Sequence, residues 1–270
     1  MDGVNSMVDG VVTGGPARVQ PGYEAWSARP EGTATGAVLL CHGFTGSPVS
    51  MRPWAEHLAA AGFAVELPRL PGHGTTWQEL NRTSWTDWYD AVEAALVELA
   101  QQYGTVAVGA LSMGGSLALR LAQQHPDIVS GLALVNPSVG SRDPAMLAVP
   151  LLQYLVPSVK AIGGDIAKPG LREGAYARTP LRATASLMKL WRTVRDDLDQ
   201  VRCPLLIFRS VTDHVVDPSS VELIMQRVSA VDVTERLLHR SFHVATLDFE
   251  ADDIFAESTE FFTGLSDGSS

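Results

Sequence analysis

Within residues 105–119, TVAVGALSMGGSLAL, a serine sits where a strand pattern gives way to a helix pattern. Residues 105–110 are small and β-branched and suit a buried strand, whereas Leu117, Ala118, Leu119, Leu121 and Ala122 favour the helix that follows. The chain must therefore turn sharply at Leu111-Ser112-Met113-Gly114-Gly115. A turn of this kind, a nucleophile elbow, presses its neighbours against adjacent backbone and so demands tiny flanking residues. Gly114 meets that demand on one side; on the other, Ala110 stands where the G-x-S-x-G form has glycine, with Gly109 one residue earlier. The turn projects the Ser112 hydroxyl past the sheet edge, in front of a helix N-terminus whose free N–H groups favour negative charge. A hydroxyl so placed is a nucleophile if a base and a carboxylate reach it, and otherwise only a serine in a small-residue turn.

A carboxylate that orients a histidine at the same sheet edge must closely follow a strand. Residues 204–208, PLLIF, form a buried-strand run that ends in Arg209-Ser-Val-Thr-Asp213, so Asp213 is the chosen acid. Asp217 is its rival, but Asp217-Pro218 opens a helix over 217–228 with an N-cap residue and a proline at the first helical position, and capping accounts for it. His214, beside the acid, is expected to point elsewhere. Of the seven histidines, His239 and His243 alone lie downstream of the acid and near the end of a terminal strand, 232–238. His239 is too close to that strand, which leaves His243 as the base.

The elements that must hold these residues can be read in order. Residues 1–36 form a loose tail rich in Gly and Pro, with a candidate edge strand at 19–28. Residues 37–41 are a continuous apolar run, a strand buried on both faces of a parallel sheet, and it leads into His42-Gly-Phe-Thr-Gly46. A loop there can present backbone N–H groups to a developing oxyanion, with Phe44 and Met113 as the donors. His42 itself reads better as a side chain tying its loop to neighbouring backbone than as a catalytic group. A helix over 51–61 turns Trp54 and Leu58 inward, and residues 64–67 make the next strand. His73, in the following Pro- and Gly-rich loop, reads as a loop organiser. Trp77, Trp85, Trp88 and Tyr89 cluster before and within a long helix over 86–103, and their spacing favours core packing over an aromatic ligand box. Beyond the elbow helix lies a strand at 131–136. From 137 to 179 the alternation of strand and helix lapses, with an apolar run at 146–156 and a flexible Gly163-Gly164. This composition suits a capping insertion with an apolar inner surface, or else an ordinary buried helix pair. Helical spacing returns over 180–196, with Leu181, Leu187, Met188 and Trp191 on one side, and Asp248 is placed to cap a last helix.

The stretches HGFTGSP at 42–48, LPGHG at 70–74 and ALSMGG at 110–115 resemble the bacterial α/β-hydrolase carboxylesterases and monoacylglycerol lipases, and the match extends over most of the chain from Ala37 onward. The resemblance implies an α/β fold of the α/β-hydrolase type: a mostly parallel central sheet, helices on both faces and a small, mainly helical cap. It implies a core of 37–136 and 180–265 with the cap at 137–179. The order Ser112, Asp213, His243 is the order of that fold. The expected function is therefore hydrolysis of short- to medium-chain monoesters through an acyl-enzyme. Acyl transfer to a second alcohol, or perhydrolysis, would use the same three residues. A ligand-binding scaffold without catalysis would have no need of all three.

With 30 Asp plus Glu against 20 Lys plus Arg, the formal charge of −10 repels phosphate backbones and anionic lipid, which argues against nucleic-acid partners. Two cysteines, Cys41 and Cys203, both beside buried strands, suit a reduced cytoplasmic protein better than a disulfide scaffold. The first residues lack the basic and apolar regions of a secretory signal, and no apolar run approaches the ~20 residues that span a bilayer, so no stable membrane insertion is expected. No metal-ligand spacing or dinucleotide fingerprint occurs, so neither a metal nor another cofactor is expected. No feature selects an oligomeric state.

Overall fold

The computed structural model describes residues 18–161 and 164–267. Most of the expected tail, residues 1–17, and Gly163 lie outside these. The strands are β1 (Trp26–Ala28), β2 (Ala37–Cys41), β3 (Ala64–Leu67), β4 (Val106–Leu111), β5 (Val129–Val135), β6 (Ser158–Lys160), β7 (Arg178–Pro180), β8 (Leu205–Ser210) and β9 (Val233–Leu238). The helices are α1 (Arg52–Ala60), α2 (Trp77–Leu80), α3 (Trp85–Tyr103), α4 (Met113–Gln124), α5 (Val149–Leu152), α6 (Leu181–Asp196), α7 (Ser219–Arg227) and α8 (Ala251–Asp267).

Seven strands make one sheet in the order β1-β3-β2-β4-β5-β8-β9. The short edge strand β1 runs antiparallel to β3, and the other neighbours are parallel. The central runs are apolar throughout because each face is covered. Leu39 and Cys41 of β2 pack into a core with α3, α4 and α6, while Val38 and Leu40 pack into a second core with α1 and α8. In α3 the buried Trp88, Val92, Leu96 and Leu99 recur at helical spacing, so one stripe faces the sheet. A capping box of Ser84 and Asp87 starts that helix, and Gly104, at φ 80°, ends it.

The chain between β5 and β8 is mainly helical: a 3-10 turn over Pro144–Ala148, then α5, then the long α6. Between α5 and α6 lies the two-stranded ribbon β6–β7. This insertion sits over the C-terminal ends of the parallel strands. From β2 the chain moves out to β3, then returns to β4 on the opposite side of β2. The C-terminal ends of β2 and β4 thus flank the switch point of the sheet, where α/β proteins open a crevice for ligands. The HGFTG loop leaves β2 there, and Ser112 leaves β4.

Candidate active site

Ser112 adopts φ 56° and ψ −119°, a backbone state that costs on the order of 1–3 kcal/mol and persists only where its surroundings enforce it. They do so on three sides. The Ser112 N–H donates to the Val135 carbonyl at 3.0 Å, while the Gly115 and Ser138 amides donate to the Ser112 carbonyl at 2.9 and 3.1 Å. A Cβ at Gly114 would lie 2.1 Å from the Cys41 carbonyl oxygen, so no side chain is tolerated on that side of the turn. Gly43 approaches from the HGFTG loop, where a Cβ would stand 3.3 Å from that of Ser112. Ala110 is fully buried without conflict. Gly109 serves the sheet instead, since a Cβ there would meet Leu40 and Trp54.

The HGFTG loop is held by its histidine. The His42 Nδ1–H donates to the Gly43 carbonyl at 3.0 Å, and Nε2 accepts from the Leu70 amide at 3.2 Å, which requires the neutral ring. Burial pushes its pKa down to about 4, against a small opposing effect of the Gly43 bond. His73 packs against it with ring centroids 5.0 Å apart, bonds the Pro71 carbonyl, and is likewise held well below the ordinary range by burial. The backbone N–H groups of Phe44 and Met113 have no hydrogen-bond acceptor among the described residues. They belong to the two residues that flank the crevice beside Ser112.

At the other side of the sheet, His243 Nδ1 meets Asp213 Oδ2 at 2.7 Å, with side chains only 8% and 7% exposed. Asp213 Oδ1 accepts from the Val215 and Val216 amides at 2.8 Å each, so the carboxylate cannot swing. With Nδ1 engaged, Nε2 is the ring nitrogen left for a hydroxyl. Asn136, at φ 44° just past β5, donates from Nδ2 to the carbonyl of His243 at 2.8 Å and to Ser210 Oγ at 3.0 Å, while its Oδ1 accepts from the Ser210 amide. The histidine loop is also gripped from below. Glu250 accepts from the amides of His239, Arg240 and Ser241. Burial opposes the charge of Glu250, but these bonds outweigh it and hold the carboxyl below its usual range.

The helix α7 begins at Ser219 with Pro218 in its N-cap position, one residue later than expected, so Asp217 precedes the cap, yet its Oδ1 still accepts from the Ser219 amide at 3.0 Å. Its other oxygen takes the Arg142 amide of the insertion at 3.2 Å. Asp248 differs from expectation. Its side chain accepts from Phe242, Ala167 and Lys168 amides, so it ties the histidine loop to the insertion rather than capping α8. His214 turns from Asp213 and bonds Asp165 at 2.8 Å.

Ser112, Asp213 and His243, with Phe44 and Met113, all line one cavity of about 550 Å³, within the ~300–1,000 Å³ usual for small-molecule sites. Its apolar wall includes Met146, Val149 and Leu152 from the insertion and Leu187 and Trp191 from α6. The run at 146–156 is thus split. Leu147, Tyr154 and Leu155, between 76% and 82% exposed, face outward. Trp77, Trp85, Trp88 and Tyr89 do not line the cavity; Trp88 is wholly buried against Phe44 and His73. Among the described residues no three His, Cys, Asp or Glu side chains gather as a metal site requires.

A family model described as "Serine aminopeptidase, S33" matches residues 32–250. The chain belongs to this hydrolase family. It is 43% identical over 230 residues to a thermostable monoacylglycerol lipase of Bacillus sp. (strain H-257), covering 83% of this chain and 89% of that one. To a carboxylesterase of Bacillus subtilis (strain 168) it is 27% identical over 230 residues, covering 85% and 93%. A solved structure from a study of LipS and LipT, two metagenome-derived lipolytic enzymes, superposes with a TM-score of 0.87 at 36% identity, covering 91% of this chain and 99% of that one. The protein is accordingly an α/β-hydrolase-fold serine hydrolase of the esterase and lipase type. Sequence reasoning missed Asn136, Asp165 and Glu250 in this hydrolase. Their partners lie too far along the chain, or are backbone amides, for spacing to have revealed them.

Proposed function

We propose that this hydrolase cleaves short- to medium-chain carboxylic monoesters, monoacylglycerols among them, through Ser112, His243 and Asp213. The single observation that carries the reading is the 2.7 Å His243–Asp213 pair on the same cavity as the strained Ser112. His243 Nε2 takes the Ser112 proton as Oγ attacks the ester carbonyl, and Asp213 stabilises the imidazolium and fixes its orientation. The Phe44 and Met113 N–H groups receive the oxyanion, each donor of this kind contributing ~3 kcal/mol to the transition state. The imidazolium then gives its proton to the departing alcohol, leaving the acyl group on Ser112. Water, activated by the same imidazole, attacks the acyl-enzyme, and collapse of the second intermediate releases the acid and returns the proton to Ser112.

The apolar inner wall from 146, 149 and 152 suits an acyl chain, and residues 137–179 are inferred to act as the cap over a core of 37–136 and 180–265. The monoacylglycerol lipase among the relatives agrees with this choice of ester. No helix among the described residues is long and apolar enough to cross a membrane. Cys41 and Cys203 are both free, which agrees with the reducing cytoplasm as the compartment. Fluorophosphonate labelling tests the nucleophile directly: the wild type is expected to be labelled and Ser112→Ala to be inert, with its thermal stability nearly unchanged. Labelling that persists in the variant would place the nucleophile elsewhere.

A further inference from the structure

We infer that Asp165, carried by the insertion, is a positioning residue that holds the acid loop and the histidine loop in register; this rests on the reading of Asp213 and His243 given above. Its carboxylate is 12% exposed and reaches both loops at once. Oδ2 accepts from the His243 amide at 3.2 Å and from the His214 amide, next to the acid, at 3.0 Å. Oδ1 takes His214 Nδ1 at 2.8 Å. The Asp165 carbonyl accepts from the Val244 amide at 3.1 Å, so the backbone of the histidine loop is bonded on both sides of the Cα of Val244's neighbour, His243.

The register between these loops is what sets the 2.7 Å His243–Asp213 contact. Asp213 and His243 hang from different strands, β8 and β9, beyond the last ladder pair at Ser210 and Leu238. Past that point the sheet no longer fixes their separation. Asn136 fastens the carbonyl side of the histidine loop, but its contact on the other strand is Ser210, three residues before the acid. Asp165 is bonded to the amide of His243 itself and to that of the residue after Asp213. Two further bonds brace it, since Asp248 takes the Ala167 and Lys168 amides while also taking Phe242. The segment around Asp165 is thus a strap, and the insertion contributes to the geometry of the chemistry as well as to the wall of the cavity. Misplacement of a reacting group by about 1 Å costs on the order of 100-fold in rate.

The test is hydrolysis of p-nitrophenyl butyrate by full-length wild type, Asp165→Ala, Asp165→Asn, Asp165→Glu and Ser112→Ala, with active sites counted by fluorophosphonate titration and folding followed by thermal melts. Asp165→Ala is expected to lower kcat per titrated site by roughly 10–100-fold while KM stays within about twofold. Asparagine is expected to restore kcat to within about threefold, because its oxygen can accept from both amides and its NH₂ can donate to His214 Nδ1 in the other tautomer. Glutamate keeps the charge but lengthens the side chain, so its kcat is expected to fall by about fivefold or more at unchanged KM, and it serves as the test if the alanine variant does not fold. Wild-type kcat in the alanine or glutamate variant would overturn the inference, as would a loss confined to KM or an asparagine variant as slow as alanine. If Ser112→Ala still turned over, the underlying catalytic reading would fall, a result separate from any behaviour of Asp165.

Discussion

At the scale of single residues, two aspartates four positions apart differ in what they hold. Asp213 gives one oxygen to His243 and the other to two backbone amides, whereas Asp217 gives both to backbone amides and Ser219. Asp213→Asn is expected to cut kcat by about 10⁴-fold, since the amide favours the wrong histidine tautomer. Asp217→Ala is expected to affect turnover far less and to cost about 1 kcal/mol of stability through the lost cap. Steady-state kinetics and urea unfolding on the two variants check this, and dominance of Asp217 over turnover would reverse the assignment. The different surroundings of the two were legible because proline at 218 marks the start of a helix beside one aspartate and a strand ends shortly before the other. Asp165 was not legible, because nothing in a stretch of insertion without periodic pattern says which loop it crosses, and its partners lie 49 and 78 residues away.

At the scale of elements, the strands were the plainest feature of the sequence. Residues 37–41 and 64–67 read as strands with the bounds the structure has: the first is apolar and buried throughout, and the second carries one polar residue, Glu66, which pairs with Arg29. The insertion was harder. Its apolar run at 146–156 suggests one inner surface, yet only Met146, Val149 and Leu152 line the cavity, Leu152 while still 38% exposed, and Leu147, Leu151, Tyr154 and Leu155 do not. That division follows the three-residue spacing of a helical turn, which composition alone hides. The HGFTG loop carries a testable consequence of its own. Burial lowers the His42 pKa to about 4 and holds that of His73 well below the usual 6.5, so both rings are neutral in the fold. A lowered folded pKa means that the unfolded chain binds more protons between pH 6.5 and 4, so this stability is complete above pH 6.5 and is lost as pH falls through that window. For His42 alone the loss approaches about 3 kcal/mol by pH 4. Urea unfolding from pH 7 down to pH 4.5 is expected to give a steep decline in the wild type and a shallower one in His42→Gln, which starts less stable at pH 7. Equal slopes would mean that His42 does not contribute to acid unfolding.

At the scale of the whole molecule, the sheet brings two loops from its switch point and two from its far strands to one edge, and the insertion closes over them. The cavity so formed is lined by Ser112 and His243 and by an apolar wall of Met146, Val149, Leu152, Leu187 and Trp191. An acyl chain entering it would exchange water for this wall, gaining ~0.8 kcal/mol per methylene, or about fourfold in binding. The surroundings disfavour an acyl group that ends in a negative charge, since the chain carries a formal charge of −10. Across p-nitrophenyl esters from acetate upward, kcat/KM is therefore expected to rise by up to about fourfold per methylene and to level off once the apolar wall is covered. Leu152→Asp should flatten that rise while leaving the rate on acetate nearly unchanged, because acetate does not reach the wall. A series that is fastest on acetate and falls with every added methylene would sink the assignment of this wall to the acyl chain, and would turn it toward the alcohol.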